Sequence, residues 1–463
     1  MTLAPRVADP RFDAVRTGMD TERVKALLNA RLREAGGSVC IRNLSLEYSF
    51  YVPGSNFRAV YQAELVNGTA NETQRLFGRI TYAGDSAVRF AKARRKLAKG
   101  RFLKPRLGEG AYHLPEIDMV LWTFPNDPRL KTLVGHADPG TVRRALANLE
   151  DARGWEPGGM RQELVRYIPG KRGVLRYEVE WRRPRRPDGS PQALPASRLE
   201  CIFGKVYDTP LAALRAREAL EDLWAASQRQ TRFLRVPKPL HYEPGLRTLW
   251  LSQVPGAHLA AEAWKVDTAC MARIGRGLAL LHQARVRVRP TLGLEQELES
   301  MRENATLIAK VHQDLRPGLE RVHAALAKSL PRLPRLPLVP AHGTFKLNHL
   351  LSDGEQISLI DFDSMVLADP TFDVANFTAD LHYLEARGTL PPGRASKLGR
   401  ALQEVYFGQV PWGRCDPVLN WYVASLLVRK QAFKCVKHLH PDADRKIRKV
   451  LDEALRRTRR LET

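Results

Sequence analysis

One pattern occurs twice in the same order, and it constrains this chain more than any other feature. Tyr51-Val52-Pro53-Gly54 is followed by an alternating run from Phe57 to Leu65, a second run from Leu76 to Tyr82 that carries Phe77-Gly78-Arg79, and a basic helical stretch, Ala83 to Gly100. Tyr167-Ile168-Pro169-Gly170 leads in the same way into Gly173 to Trp181, then a run from Ile202 to Tyr207 that carries Phe203-Gly204-Lys205, then the helical stretch Leu211 to Gln228. Tyr51 and Tyr167 are 116 residues apart and Gly78 and Gly204 are 126 apart, so the second copy is longer by ten residues in a connection rich in Arg and Pro. Two unrelated hairpins would share only the Pro-Gly turn. Here the turn, the following strand and the Phe-Gly-basic triplet all repeat, which predicts an internal duplication of a small β-rich lobe.

The flanking sequence is helical. Val24, Leu27, Leu28 and Leu32 recur at helical spacing between Thr21 and Ala35, and Gly36-Gly37 stops the run. After the second copy, Ala260 to Gln283 and Leu294 to Leu330 read as helices, Pro331 to Pro340 as a connection, Leu338 to Ile360 as a short β-rich stretch, and the remainder as helices. An α+β body with a β-rich first half and an α-rich second half is expected.

Length and composition set the broad class. At about 100–200 residues per domain, 463 residues make two to four domains, each able to bury its own core. Cys40, Cys201, Cys270, Cys415 and Cys435 are scattered and never spaced Cys-x-x-Cys, so neither a disulfide framework nor a zinc site is expected. Met1 to Asp20 lacks the apolar core of a secretory signal, and no stretch reaches the roughly 18 apolar residues of a membrane span; a cytoplasmic location and no membrane contact are expected. The 74 Lys+Arg against 50 Asp+Glu give a formal charge of +24, which favours an anionic partner without choosing one. Basic residues concentrate at Lys92 to Arg106, Arg182 to Arg186 and Arg445 to Arg460, but no nucleic-acid recognition motif accompanies them. A solvated basic surface is the simpler reading, and a nucleic-acid partner is not expected.

The densest polar cluster reads His342-Gly343-Thr344-Phe345-Lys346-Leu347-Asn348-His349, then Ile360-Asp361-Phe362-Asp363, then Asp369-Pro370 with Asp373 and Ala375. An apolar residue, Ile360, can anchor a short strand so that Asp361 emerges as a hard oxygen ligand suited to Mg²⁺, with Asp363 two residues on and on the same side. This cluster resembles the aminoglycoside phosphotransferase and choline kinase group, relatives of protein kinases. Their pattern is His-Gly-Asp, an Asn five residues after that Asp, Ile-Asp-Phe/Trp-Asp/Glu, then Asp-Pro-x-x-Asp-x-Ala. The resemblance covers roughly Gln162 to the C-terminus.

It implies a two-lobed protein kinase-like fold and a site that uses ATP or another NTP with Mg²⁺. It assigns Lys205, in an apolar strand, to the nucleotide phosphates and Glu218 as its ion-pair partner. Lys171 would lie in the hairpin over the phosphates, Gln253 in the hinge behind the base, and His342 with Asp361 in the catalytic centre. Asp361, Asp363 and His349 would hold the metal. Two positions depart from the pattern. Thr344 stands where an aspartate accepts the acceptor's hydroxyl proton, and a neutral hydroxyl is no general base, a loss typically worth about 10²–10⁴ in rate. His349 stands where the Asn is expected, with Asn348 beside it.

Three domains follow: residues 1–155, an additional N-terminal β-rich lobe that looks like a degenerate duplicate of a kinase N-lobe, since Arg79 replaces Lys205 and its helix offers no Glu; 156–255, the kinase-like N-lobe; and 256–463, the helical lobe. The expected function is a divergent ATP-dependent phosphotransferase acting on a small-molecule hydroxyl. The alternative is a nucleotide-binding pseudokinase or scaffold that uses residues 1–155 for a protein partner.

Overall fold

The computed structural model describes residues 9–149, 152, 154–183, 197–230, 234–440 and 442–461. Arg185 and Arg186 of the second basic run, and most of the longer connection in the second copy, lie outside the described residues.

Two short helices, α1 (Phe12–Met19) and α2 (Thr21–Glu34), precede the first sheet. The Asp20 side chain accepts a hydrogen bond from Arg23 N at 3.0 Å and so caps α2, whose stripe of Val24, Leu28 and Leu32 is buried. Strands β1 (Cys40–Val52), β2 (Asn56–Asn67) and β3 (Ala70–Thr81), helix α3 (Ser86–Ala98), and strands β4 (Ala111–Leu114) and β5 (Met119–Thr123) follow, in the sheet order β1-β2-β3-β5-β4. Helix α4 (Pro139–Ala147) leads to β6 (Glu156–Ile168), β7 (Arg172–Arg182), β8 (Ser197–Tyr207), α5 (Pro210–Arg229), β9 (Pro239–Glu243) and β10 (Thr248–Ser252), in the order β6-β7-β8-β10-β9. In both sheets a helix separates the third and fourth strands, and the last strand pairs with the third.

The repeated residues have matching surroundings. Gly54 and Gly170 close their hairpins at φ +73° and +68°, a conformation that glycine adopts without a Cβ penalty. A Cβ on Gly78 would lie 3.1 Å from the Tyr61 ring, and one on Gly204 3.2 Å from the Tyr177 ring. Each Phe-Gly-basic triplet therefore needs its glycine where a tyrosine from the second strand crosses it. Both turns also hang from a carboxylate. Asp9 accepts from Tyr51 OH (2.5 Å) and Gly54 N (3.0 Å), and Asp127 accepts from Tyr167 OH and Gly170 N (both 2.7 Å). These carboxylates head the tripeptides Asp9-Pro10-Arg11 and Asp127-Pro128-Arg129. Leu130, Leu133, Val142 and Leu146 pack with Leu175, Tyr177, Trp181 and Trp250 of the second sheet. The chain thus changes packing partner near Asp127, inside the 1–155 segment.

The remainder is mostly helical. It comprises β11 (Ala257–His258), α6 (Thr268–Gln283), β12 (Thr291–Leu292), α7 (Leu294–Val311), α8 (Arg316–Ser329), β13 (Val339–Ala341), β14 (Leu350–Ser352), β15 (Ile357–Leu359), β16 (Val366–Ala368), α9 (Thr371–Ala386), α10 (Arg394–Phe407), α11 (Asp416–Leu426), a π-helical turn Leu427–Ala432, α12 (Phe433–Lys437) and α13 (Ala443–Arg459). Two three-stranded sheets, β11-β14-β15 and β12-β16-β13, carry the polar cluster. The Gly-x-Gly of α6 serves packing: a Cβ on Gly275 would lie 2.7 Å from Leu402 O, and one on Gly277 2.5 Å from Leu234. Among the described residues no helix is long and apolar enough to cross a membrane.

The first lobe reaches this helical body directly. Ser49 Oγ donates to His438 O at 2.8 Å, His438 Nδ1 lies 2.6 Å from Ser49 O, and the Tyr48 ring meets the His438 ring edge-on at 5.4 Å.

Candidate active site

Strand β13 delivers His342 and Gly343 beside the first turn of α9. Gly343 has φ +80°, and a Cβ there would lie 2.0 Å from Ser364 O, so only glycine fits. The fully buried Asp373 carboxylate accepts from His342 N (2.6 Å) and Gly343 N (3.0 Å), and His282 Nε2 lies 3.2 Å from it. His282 Nδ1 is in turn 2.7 Å from Tyr406 OH. Burial opposes the charge of Asp373, yet His282 and the His342 amide hold its pKa below the usual value. The Asp-Pro-x-x-Asp motif is thus a buried pillar under the loop. His342 belongs to the same pillar. Its ring is fully buried with Nε2 3.1 Å from Ile360 O, so it positions the loop against the next strand and does not face the cleft.

Asn376 Nδ2 donates to Phe345 O at 2.5 Å, and Lys430 Nζ donates to Gly343 O at 2.8 Å and to Asn376 Oδ1 at 2.7 Å. Half-buried Thr344 is therefore held between two anchored residues.

Asp361 follows β15 in a left-handed conformation, φ 71° and ψ 61°. Lys205 Nζ lies 2.9 Å from Asp361 Oδ1 and 2.7 Å from Asp363 Oδ1. Arg172 Nη1 lies 2.6 Å from Asp361 Oδ1 and also bridges to Asp363, while Tyr207 OH donates to Asp363 Oδ1 at 2.8 Å. Burial would raise the pKa of Asp361, but Lys205 and then Arg172 hold it well below the carboxylate range. Two carboxylates from the helical lobe are thereby locked to two cations from the sheet above.

These groups sit at one end of a cleft of about 450 Å³ between the second sheet and the helical lobe. Ile168, Val174, Phe203 and Leu251 wall it from above, and Leu351 and Ile360 from below. Gln253 lies exposed on its outer edge. At Gly256, φ +108°, a Cβ would lie 2.6 Å from the Ser352 backbone, so the hinge turns there without a side chain. A flat apolar slot ending in paired charges suits a planar base joined to phosphates.

Two sequence expectations, the Lys205–Glu218 pair and the place of Lys171, are corrected by the geometry. Among the described residues Lys205 pairs with Asp361 and Asp363 and makes no ion pair with Glu218, whose backbone carbonyl instead accepts from Arg287 at 3.4 Å. Lys171 points outward from the hairpin, and Arg172, the next residue, reaches the cleft. Strand alternation explains both Arg172 and Tyr207: they pair across the hairpin two residues from the Val174–Lys205 pair, so all four share one face. His349 is buried with Nε2 3.4 Å from Asp361 Oδ2, and its pKa is pushed well down by burial, with Lys346 adding to the effect. It lines the cleft beside Asp361.

The donor chemistry nevertheless suits Mg²⁺. Asp361 and the exposed Asn348 line the cleft, and Asp363 shares Lys205 and Arg172 with Asp361, so the set offers hard oxygens. They do not form a ready cage. Among the described residues the only His/Cys/Asp/Glu group whose ligand atoms lie within 4.8 Å of one another is His312, Asp314 and Asp444. That group is remote from the cleft, and Arg448 already bridges its two carboxylates.

Comparison with known proteins bears on the same region. Residues 202–406 match the model of the phosphotransferase enzyme family. No curated protein matches the chain. Similar solved structures include a choline/ethanolamine kinase family protein from Mesorhizobium loti (14% identity, 69% of this chain and 99% of that one, TM-score 0.43). Another is aminoglycoside phosphotransferase APH(3'')-Id from Streptomyces rimosus (18% identity, 62% and 98%, TM-score 0.35). A third is spectinomycin phosphotransferase APH(9)-Ia in complex with ADP and spectinomycin (11% identity, 69% and 99%, TM-score 0.43).

Proposed function

We propose that this chain, whose residues 202–406 match the model of the phosphotransferase enzyme family, transfers the γ-phosphoryl group of ATP, or another nucleoside triphosphate, to a hydroxyl of a small molecule. The observation that carries the reading is the convergence of Lys205 and Asp361, 156 residues apart in sequence, at 2.9 Å inside the apolar-walled cleft.

The base slides between Val174 and Phe203 above and Leu351 below, with the hinge at Gln253 along its edge. Lys205 and Arg172 would turn from Asp361 and Asp363 to the phosphates, and the two freed carboxylates, with Asn348, would hold Mg²⁺. Bound Mg²⁺ supplies neutralisation of the phosphate charge. The acceptor oxygen forms a bond to the γ-phosphorus as the bond from that phosphorus to the β–γ bridging oxygen breaks, and the nucleoside diphosphate leaves with the electron pair. The hydroxyl proton passes to the transferred phosphate and then to solvent, because Thr344 cannot accept it. A loose transition state places little demand on early proton removal, so positioning and charge carry most of the effect.

Thr344 also favours a second reading, nucleotide binding without transfer. ADP release across a panel of hydroxyl acceptors separates the two. Turnover that disappears in Asp361→Ala supports the enzyme, and silence from a wild-type protein that binds ATP supports the pseudokinase.

We further infer that the first lobe is a degenerate copy of the second. Shared strand order, the Gly78–Tyr61 and Gly204–Tyr177 contacts and the two Asp-Pro-Arg tethers support that descent, with each copy beginning near Asp9 and Asp127. Its role is to brace the site: Arg58 Nη1 reaches Pro169 O at 3.4 Å, and Phe77 meets Tyr167 edge-on at 6.4 Å, directly behind the hairpin that covers the phosphates.

A further inference from the structure

A row of lysines runs from the loop that carries Thr344 towards the first lobe. Lys430, Lys434 and Lys437 follow one another at i, i+4 and i+7 along one face of the π-helical turn and α12. Each lies over an aromatic ring: Phe372 at 5.1 Å, Tyr383 at 4.6 Å and Phe50 of the first lobe at 5.0 Å. The row starts at the loop, where Lys430 holds Gly343 O, and ends against the first lobe's β1 strand. Two residues beyond Thr344, Lys346 lies near enough to Lys434 and Arg166 to feel their charge, and Lys437 feels Lys171 and Arg166 from the hairpin above. Arg166 lines the cleft together with His349 and Asp361.

Among the described residues none of Arg166, Lys171, Lys346, Lys434 and Lys437 forms an ion pair. Asp380 and Asp361 are the carboxylates whose charge acts on Lys346, and neither pairs with it. Lys346, Lys434 and Lys437 are nevertheless half-buried. Burial, then Lys171, Lys346, Lys434 and Arg166, push the Lys437 pKa down to about 8. Holding several partly desolvated ammonium groups together without a directly paired carboxylate is unfavourable, and an anion placed among them relieves both the desolvation and the repulsion. The first lobe meets the end of this row through Phe50 under Lys437 and through the Ser49–His438 bonds, contacts that the second lobe does not supply.

We propose that the space among these cations is the acceptor subsite and that it takes an anionic acceptor, a hydroxyl compound bearing a phosphate or carboxylate group bound by Lys346, Lys434, Lys437 and Arg166. The assignment rests on the phosphotransfer reading of the cleft, and its test separates the two.

Binding is measured first, without nucleotide, on the full chain. Sulfate and inorganic phosphate should raise the melting temperature of the wild type, and Lys434→Ala with Lys437→Ala should weaken the response roughly 10–100-fold, as for loss of charge-assisted hydrogen bonds. Lys92→Ala, in the remote basic helix, controls for general charge. Turnover with ATP is then compared for a neutral sugar, its monophosphate, its uronic acid and an amino sugar. Preference for the monophosphate or the uronate, with a KM for that acceptor raised in the lysine variants and the KM for ATP unchanged, confirms the subsite and says which oxyanion it takes. Anion binding that depends on these lysines without any turnover keeps the anion site and overturns the phosphotransfer reading. Preference for the neutral or amino sugar, or anion stabilisation indifferent to both lysines, overturns the proposal.

Discussion

Arg172 Nη1, from the first residue of β7, lies 2.6 Å from Asp361 Oδ1 in the opposite lobe, and the same nitrogen bridges to Asp363. A guanidinium therefore occupies the carboxylates that Mg²⁺ would use, and it competes with the metal until phosphates draw it away. Arg172→Gln should bind Mn²⁺, a spectroscopic stand-in for Mg²⁺, about tenfold more tightly without nucleotide, as loss of one charge-assisted contact implies. Electron paramagnetic resonance of free Mn²⁺ measures this. Unchanged Mn²⁺ affinity would show that Arg172 does not guard the site.

Asp373 is the next most constrained group, since it satisfies two backbone amides and His282 with no exposure. Asp373→Ala should cost roughly 3 kcal/mol of stability, the scale for leaving buried donors without their charged partner. Gly343→Ala should also destabilise, because its Cβ would collide with Ser364 O. Urea denaturation of the three proteins tests both. A loss below about 1 kcal/mol for Asp373→Ala would remove the pillar.

Lys430 gives the pH prediction. Burial, then Arg429, push its pKa down to about 7, while Glu297 and Asp373 oppose the shift. An unfolded lysine titrates near 10.4. Between these values the unfolded chain binds the proton and the folded one does not, so this group's contribution to stability rises as pH increases from about 7 to about 10. Below pH 7 both states are protonated and the burial cost is fully expressed. Stability of wild type minus that of Lys430→Met should accordingly increase across this window. A flat difference would place the Lys430 pKa near the ordinary value.

Thr344 separates enzyme from scaffold. If the loop already positions the acceptor oxygen, Thr344→Asp should raise ADP release by up to about 10²–10⁴, the range a general base supplies. No gain, in a protein whose wild type is also silent, would favour the scaffold.

Much of this was legible in the sequence because it follows from short periodicities. The Tyr-x-Pro-Gly turns and Phe-Gly-basic triplets located both sheets, and Ile360-Asp361-Phe362-Asp363 located the carboxylates that Lys205 meets. The Lys205–Glu218 pair was misread, since a helix's rotation about a sheet is a tertiary property and Asp361 and Asp363 arrive from far along the chain. Arg172 and Tyr207 could have been found by extending the strand alternation from Lys205. The start of each repeat at Asp-Pro-Arg was visible as a tripeptide, but only the turn geometry gives it meaning. Lys430, Lys434 and Lys437 carry no motif in the sequence, and only the contacts of Lys430 with Gly343 and of Lys437 with Phe50 bring them together with the loop and the first lobe.

The central claim is that Lys205 and Asp361 form one Mg²⁺-dependent nucleotide site, with Glu218 outside it. A thermal-shift titration of ATP with and without Mg²⁺, on wild type, Asp361→Ala and Glu218→Ala, tests it most directly. The account predicts that wild type and Glu218→Ala are stabilised more by ATP with Mg²⁺ than by ATP alone, and that Asp361→Ala loses the Mg²⁺-dependent part. Equal shifts for wild type and Asp361→Ala, or no ATP response from the wild type at millimolar concentration, would contradict it.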